Sequence, residues 1–248
     1  MENESSSTLV ENFERYFRVE SAHSDALKKQ VYGVRYRVYC EEFKYEATDL
    51  FPEQLEIDEY DHHSLHCLVI HRSSGMPAGC VRLVPAMGAS DVAPLPLEKY
   101  CRSSLDQEYI DQLKLDRSTV CEISRLAVDA AFRRRAGEAL TRFGEVKGLD
   151  FSPQEQRTFS LIAVACFLAA TALTEIGNRT NVFAMMEPFL PRMMHRSGID
   201  FHRVGMDIDY HGIRAPYFIT TQSALANMRK EFLDLYFWIK QSIQMNMC

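Results

Sequence analysis

Leu9, Val10, Phe13, Tyr16 and Phe17 recur near a 3.6-residue period, which predicts an amphipathic helix or turn within 8–20. Leu27, Val31, Val34 and Val38 form a second helical stripe in the stretch from Asp25 to Phe43, with Asp25 as its start signal. The pattern then changes period. Leu65 to Ile70 and Ala78 to Val84 read as strands joined by Arg72-Ser73-Ser74-Gly75-Met76-Pro77, which has hairpin chemistry, and Val120 to Val128 reads as a further strand. Phe159 to Leu173 is apolar all round, as a buried helix packed across a sheet must be. Ser152-Pro153-Gln154-Glu155 supplies its N-cap, N1 proline and capping-box glutamate, and Gly177 its stop. Asn181 to Met186 predicts a buried strand, Phe189 to Ser197 a short helix closed by Gly198, and Phe201 to Met206 and Ala215 to Thr220 two more strands. Leu225, Met228, Phe232, Leu235, Tyr236, Ile239 and Ile243 put a helical stripe through the tail, expected to pack on the core, with a lid or a partner surface as the alternative. Strands, a long buried helix and more strands in this order predict an α/β layer with a mixed sheet flanked by helices.

Three stretches escape the pattern. Residues 44–62 form a polar, acidic loop carrying Glu53, Glu56, Asp58, Glu59 and Asp61; 85–118 look like a surface excursion without readable chemistry; and 136–151 read as a flexible insertion. The expected organisation is an extension over 1–24, an α/β domain over 25–222 and a C-terminal amphipathic helix over 223–248.

The chain has 248 residues, 46% of them hydrophobic, enough for one sizeable core. A formal net charge of −6 argues against a nucleic-acid partner, whose phosphates demand a basic face. Seven scattered cysteines with no CxxC pair look like free thiols of a reducing compartment. The polar start Met1-Glu2-Asn3-Glu4 is unlike a signal peptide, and the longest apolar run is too short to span a bilayer, so a cytoplasmic protein without a transmembrane segment is expected.

Against this background the charged positions inside strands stand out. Glu122, Ser124 and Arg125 interrupt an apolar strand, and buried charges must be paired or put to use. Strand alternation points Glu122 and Ser124 to one face and Arg125 to the other. A structural ion pair explains them as well as chemistry does. Arg82 is the charged member of another apolar strand and needs an anion. Arg35 and Tyr39 share a helical face and could line one pocket, although an arginine on a helix is ordinarily a solvated charge. The loop carboxylates either remain solvated, hold a cationic amine, or pair with Arg35 and Arg82. His62, His63, His66 and His71 do not complete a tetrahedral set, and no metal site is expected. Arg134-x-x-Gly137-x-Ala139 formally fits a pyrophosphate-binding turn, but Phe143-Gly144 and Gly148 spoil the helix that should follow.

Val34-Arg35-Tyr36-Arg37-Val38-Tyr39-Cys40-Glu41-Glu42 with Tyr45, Asp58-Glu59-Tyr60-Asp61, Gly79-Cys80-Val81-Arg82-Leu83-Val84-Pro85 and Glu122-Ile123-Ser124-Arg125 resemble, in order and spacing, the signature blocks of the LuxI-type acyl-homoserine lactone synthases. Phe132-Arg133-Arg134-Arg135, Ala184-Met185-Met186-Glu187-Pro188 and Tyr210-His211-Gly212-Ile213-Arg214-Ala215-Pro216-Tyr217 are similar instead to the long-chain N-acyl amino acid synthases and the acyltransferases of PEP-CTERM/exosortase systems. The lactone synthases usually carry tryptophan where this chain has Tyr45 and phenylalanine where it has Tyr39. The resemblance implies a GNAT fold, no bound cofactor, and acyl transfer from an acyl carrier protein thioester, or from acyl-CoA, to an amine. It implies that Glu122 deprotonates the attacking amine and that Arg35, Asp58, Asp61, Arg82 and Arg125 shape the acceptor site.

Elementary chemistry accommodates this. An α-amine is mostly protonated near neutral pH, so attack on a thioester needs a base. Glu122 is the candidate, with Ser124 and Arg125 beside it, and a bulge next to Ser124 could supply oxyanion donors. Arg35, Tyr39, Tyr45, Asp58, Asp61 and Arg82 are the candidate acceptor-site residues. The buried helix with Met185, Met186 and Phe189 is the candidate wall of an acyl tunnel. Arg133, Arg134, Arg135, Arg192 and Arg196 are the candidate landing site for an acidic carrier protein. A coenzyme-A-dependent N-acetyltransferase and a noncatalytic acyl-binding or docking protein are the competing readings.

Overall fold

The computed structural model describes residues 8–133, 155, 158–195 and 198–246. The cap expected at Ser152, Pro153 and Gln154, the insertion at 136–151, the turn around Gly137, and Arg134, Arg135 and Arg196 lie outside them. Helix α1 (Leu9–Tyr16) is closed at its start by a capping box between Thr8 and Glu11. It hands over at once to strand β1 (Phe17–Ser21), so the helix expected up to residue 20 ends earlier and the sheet begins ahead of residue 25. Helix α2 (Asp25–Arg35) has Ser24, not Asp25, as its N-cap, and runs on into a π-helical turn, Tyr36–Glu42.

Strands β2 (Leu65–His71) and β3 (Pro77–Pro85) form the expected hairpin. Two short helices, α3 (Pro96–Tyr100) and α4 (Gln107–Gln112), occupy the excursion. Then follow β4 (Val120–Val128), helix α5 (Ser160–Ile176) capped by Gly177, β5 (Asn181–Met186) and helix α6 (Phe189–His195). The strand expected over Phe201 to Met206 shrinks to β6 (His202–Arg203), and a hairpin links β7 (Ile208–Asp209) to β8 (Ile213–Thr220). The tail is two helices, α7 (Thr221–Ala226) and α8 (Lys230–Met245).

The sheet runs β1-β2-β3-β4-β5-β8-β6, with β7 paired to β8. All pairs are antiparallel except β4 and β5. That parallel pair holds over only Val120↔Asn181, Cys121↔Val182 and Glu122↔Phe183; beyond it both strands continue without a ladder between them. One face of the sheet carries α5 and α8, whose Leu235, Tyr236, Ile239 and Ile243 are fully buried, so the tail packs on the core. The other face carries α2.

Gly79 sets how closely α5 approaches β3. A β-carbon there would stand 3.0 Å from Ile162 Cγ2 and from the Ala127 carbonyl, and 3.1 Å from Cys166 Sγ. Gly79→Val is expected to lose about 1–3 kcal/mol by overpacking, read as a lower midpoint in denaturant unfolding.

Candidate active site

The register of β4 on β3 contains the structural event that builds the site. Arg82 pairs with Ser124 but Cys80 pairs with Ala127, so Val81 faces two residues, Arg125 and Leu126. Arg125 takes the extra position at φ 52°, a left-handed conformation that a side chain adopts only when its surroundings enforce it. Up to the bulge, even-numbered β4 residues face α2; after it, odd-numbered ones do. Arg125 therefore joins Glu122 and Ser124 on one face, where strict alternation would have sent it to the other.

Those three residues line a cavity of about 60 Å³ with Tyr39, Tyr45, Glu46, Pro96, Leu97, Cys101, Met185, Tyr210, His211 and Arg214. Six of its members come from the excursion or from between two expected strands: Pro96, Leu97 and Cys101 from the former, and Tyr210, His211 and Arg214 from the latter. Leu97 sits in the excursion, and its backbone N–H donates to Glu122 Oε2 at 2.8 Å. The excursion is docked by backbone bonds from Met206 to Ser104 and from Asp106 to Val204. Gly205 permits this approach, since a β-carbon there would lie 2.0 Å from the Ser104 carbonyl oxygen. Tyr210, His211 and Arg214 arrive on the β7–β8 hairpin.

Glu122 is 3% exposed. Burial pushes its carboxyl up to about 8, against the opposing pull of the Leu97 N–H, Arg82 and Arg125. An acid near neutrality is suited to exchange a proton at physiological pH.

Behind the cavity lies a charge network. Arg35 is fully buried rather than solvated, because Glu56 accepts from its Nε and Asp61 accepts from Nη1 and Nη2 at 2.6 and 2.9 Å. Arg82, also fully buried, donates through Nη1 to Asp58 at 2.6 Å and Asp61 at 3.0 Å, and through Nε to Ser124 Oγ at 3.1 Å. Arg125 donates to Glu56 at 3.2 and 3.1 Å, with Asp58 at 3.3 Å from Nη2. Three arginines thus face three carboxylates. Burial works against ionisation of Glu56 and Asp61, but the guanidiniums of Arg35 with Arg125 and of Arg35 with Arg82 outweigh it and hold both carboxyls below their ordinary values.

The candidate residues separate accordingly. Tyr39, Tyr45, Glu122, Ser124 and Arg125 line the cavity. Arg35, Asp58, Asp61 and Arg82 stand behind it and hold Arg125 and Ser124. The π-helical turn carries Tyr39, whose hydroxyl donates to the Leu126 carbonyl at 2.8 Å and whose ring lies 5.7 Å from the Arg125 guanidinium carbon. Arg133 donates to the Val128 carbonyl and pairs with Glu42. Arg192 is exposed.

On the α5 face, Ile123, Ala184, Met186, Met194, Phe167 and Ala170 contribute to a second, mainly apolar cavity of about 50 Å³. Met185 faces the polar cavity and Met186 the apolar one, and Phe189, expected in the tunnel wall, is 54% exposed. The two cavities lie on opposite faces of the sheet at the place where β4 and β5 part.

Residues 34–142 match the acetyltransferase (GNAT) domain family. Among solved structures, the chain is similar to TofI, described in a ternary complex with an inhibitor and MTA, at 20% identity over 88% of this chain and 96% of that one, with a TM-score of 0.58. It is similar to BjaI, a CoA-dependent acyl-homoserine lactone synthase with SAM and isopentyl-CoA, at 14% identity, 91% and 90% coverage and TM-score 0.58. FeeM, an N-acyl amino acid synthase from uncultured soil microbes, matches at 8% identity, 86% and 94% coverage and TM-score 0.53. A search of the curated proteins finds no match. The chain has the GNAT-like acyltransferase fold, with a mixed eight-stranded sheet flanked by helices, and its structural neighbours include acyl-homoserine lactone synthases and an N-acyl amino acid synthase. Among the described residues no helix is long and apolar enough to cross a membrane.

Proposed function

We propose that this chain is an N-acyltransferase that moves a fatty acyl group from a thioester to the amine of an amino-acid-like acceptor. The observation that carries the reading is the pair of cavities on opposite faces of the sheet, beside the place where the β4–β5 ladder ends. One is polar and holds a carboxyl poised near neutrality; the other is apolar and begins at Ile123, the neighbour of that carboxyl in sequence. An acceptor in the polar cavity and an acyl chain in the apolar one would bring amine and thioester together where the strands part. Glu122 takes the proton that the amine loses as its nitrogen bonds to the acyl carbon, the C–S bond breaks, and the carrier's thiol leaves with a proton from solvent. Backbone N–H groups freed where the ladder stops are the candidate donors to the transient oxyanion.

The donor we favour is acyl carrier protein. Arg133 follows the C-terminal end of β4 and Arg192 the C-terminal end of β5, and these strands run parallel, so the chain order supports a basic landing site for an acidic carrier beyond that end of the two strands. Coenzyme A is the alternative donor, favoured by the CoA-dependent synthase among the structural neighbours.

Mass spectrometry of products from purified protein, octanoyl to octadecanoyl thioesters of both carriers, and a pool of amino acids and S-adenosylmethionine tests this. An N-acyl product is expected, and the thioester consumed names the donor. Acyl chain retained by the protein without product would overturn the reading in favour of an acyl-binding protein. Ala170→Phe, which fills the apolar cavity, is expected to cut turnover of dodecanoyl and longer donors by at least about ten-fold while sparing the shortest, measured by competition between thioesters.

A further inference from the structure

The polar cavity contains two guanidiniums, and they are not equivalent. Arg125 is neutralised by Glu56 and Asp58. Arg214 has no carboxylate within ion-pair distance among the described residues, and its buried Nε has no hydrogen-bond partner. Its guanidinium carbon lies 5.5 Å from the centroid of the Tyr45 ring. The cavity's other carboxylate besides Glu122 is Glu46, which stands 3.5 Å from His211 Nε2. An unneutralised, half-buried guanidinium is costly to keep unless an anion arrives to meet it.

We infer that Arg214 binds the α-carboxylate of the acceptor, so that the site takes α-amino acids with a free carboxylate and turns their amine toward Glu122. This rests on the acyl-transfer reading above. Glu122 lies on β4 and Arg214 on β8, with β5 and its Met185 between them. The register sets Phe218 opposite Glu122 through Phe183, so Arg214 stands four residues farther along β8, and its long side chain lines the same cavity as Glu122. Tyr45, whose ring is tilted against His211 at 5.2 Å, presents its face to the guanidinium within the same cavity. A free amino acid and S-adenosylmethionine share the α-amino-carboxylate group, and the test separates them.

The full-length protein is assayed with leucine, tyrosine and S-adenosylmethionine, each against its decarboxylated counterpart, in the wild type, Arg214→Gln and Arg214→Lys. Binding is followed by calorimetry and turnover with whichever thioester is consumed. The wild type is expected to bind at least one carboxylate-bearing acceptor about ten-fold or more tighter than the matching amine, and the member that does so names the source. Arg214→Gln should raise KM for that acceptor about ten- to a hundred-fold, the worth of a charge-assisted hydrogen bond, with kcat at saturation and the KM of the donor little changed. Arg214→Lys should restore part of the loss. Equal binding of acid and amine by the wild type, or an equal loss on both in Arg214→Gln, overturns the inference. If no thioester is consumed with any acceptor, the acyl-transfer reading falls, while the calorimetric comparison still decides for or against the carboxylate site.

Discussion

Glu122→Gln is expected to lower kcat by about 10²- to 10⁴-fold, the usual worth of a positioned general base. Glutamine keeps the size of the side chain and an oxygen to accept the Leu97 N–H, so the cavity should keep its shape while losing its proton acceptor. The pH dependence separates this from a packing defect. In the wild type the rate should rise with pH until Glu122 has lost its proton near 8, and this limb should be missing from the variant. Stability should move the other way. Glu122 has a folded pKa raised to about 8 from an ordinary 4.5, so between these values the unfolded chain has released a proton that the folded chain retains. Folding stability therefore falls as pH rises through that window and levels off above it. Glu122→Gln should lack this decline and melt higher than the wild type at pH 8. Undiminished turnover in the variant would remove Glu122 as the base.

The sequence carried the fold better than the site, for physical reasons. A buried strand or helix advertises itself through many apolar residues at one period, so β2, β3, β5 and α5 are legible within a residue or three of their bounds. A bulge is a single left-handed residue and leaves the period on either side intact, so nothing in Val120 to Val128 shows that Arg125 turns toward Glu122. The excursion shows no chemistry in sequence because its contribution to Glu122 is a backbone N–H, a group every residue but proline possesses. Arg35 looked solvated because its partners, Glu56 and Asp61, lie 21 and 26 residues away and only the fold brings them in. Arg214 and His211 sat in a polar hairpin between two strand patterns. The stretch from Tyr210 to Tyr217 stands out only by resemblance, which marks positions without saying what they touch.

Asp61→Ala is expected to cost about 3–5 kcal/mol of folding stability, because it strips two fully buried guanidiniums of a shared counter-ion. For a chain of this size that is a fall of roughly 10 °C in Tm. Asp61 also accepts the backbone N–H of Asp58 at 2.8 Å, so the loop that presents Asp58 to Arg82 and Arg125 should loosen with it. The loss is a penalty for stranded charge rather than the net worth of the pairs. A double-mutant cycle with Arg35→Met tests this: removing both partners should cost less than the two single changes together, by about 1–3 kcal/mol. Acid titration gives an independent reading. Arg35 and Arg82 prevail over burial and hold the Asp61 carboxyl far below its ordinary 3.8, so its contribution is complete above that value and is lost only as pH falls well beneath it. The wild type should therefore lose stability steeply below about pH 4. Asp61→Ala should start lower and show a shallower slope there, since the proton uptake that drives the wild-type loss has been removed. Chemical denaturation of both proteins from pH 2 to pH 7 measures the two slopes, and parallel curves would show that Asp61 is not the ion that holds Arg35 and Arg82 in the core.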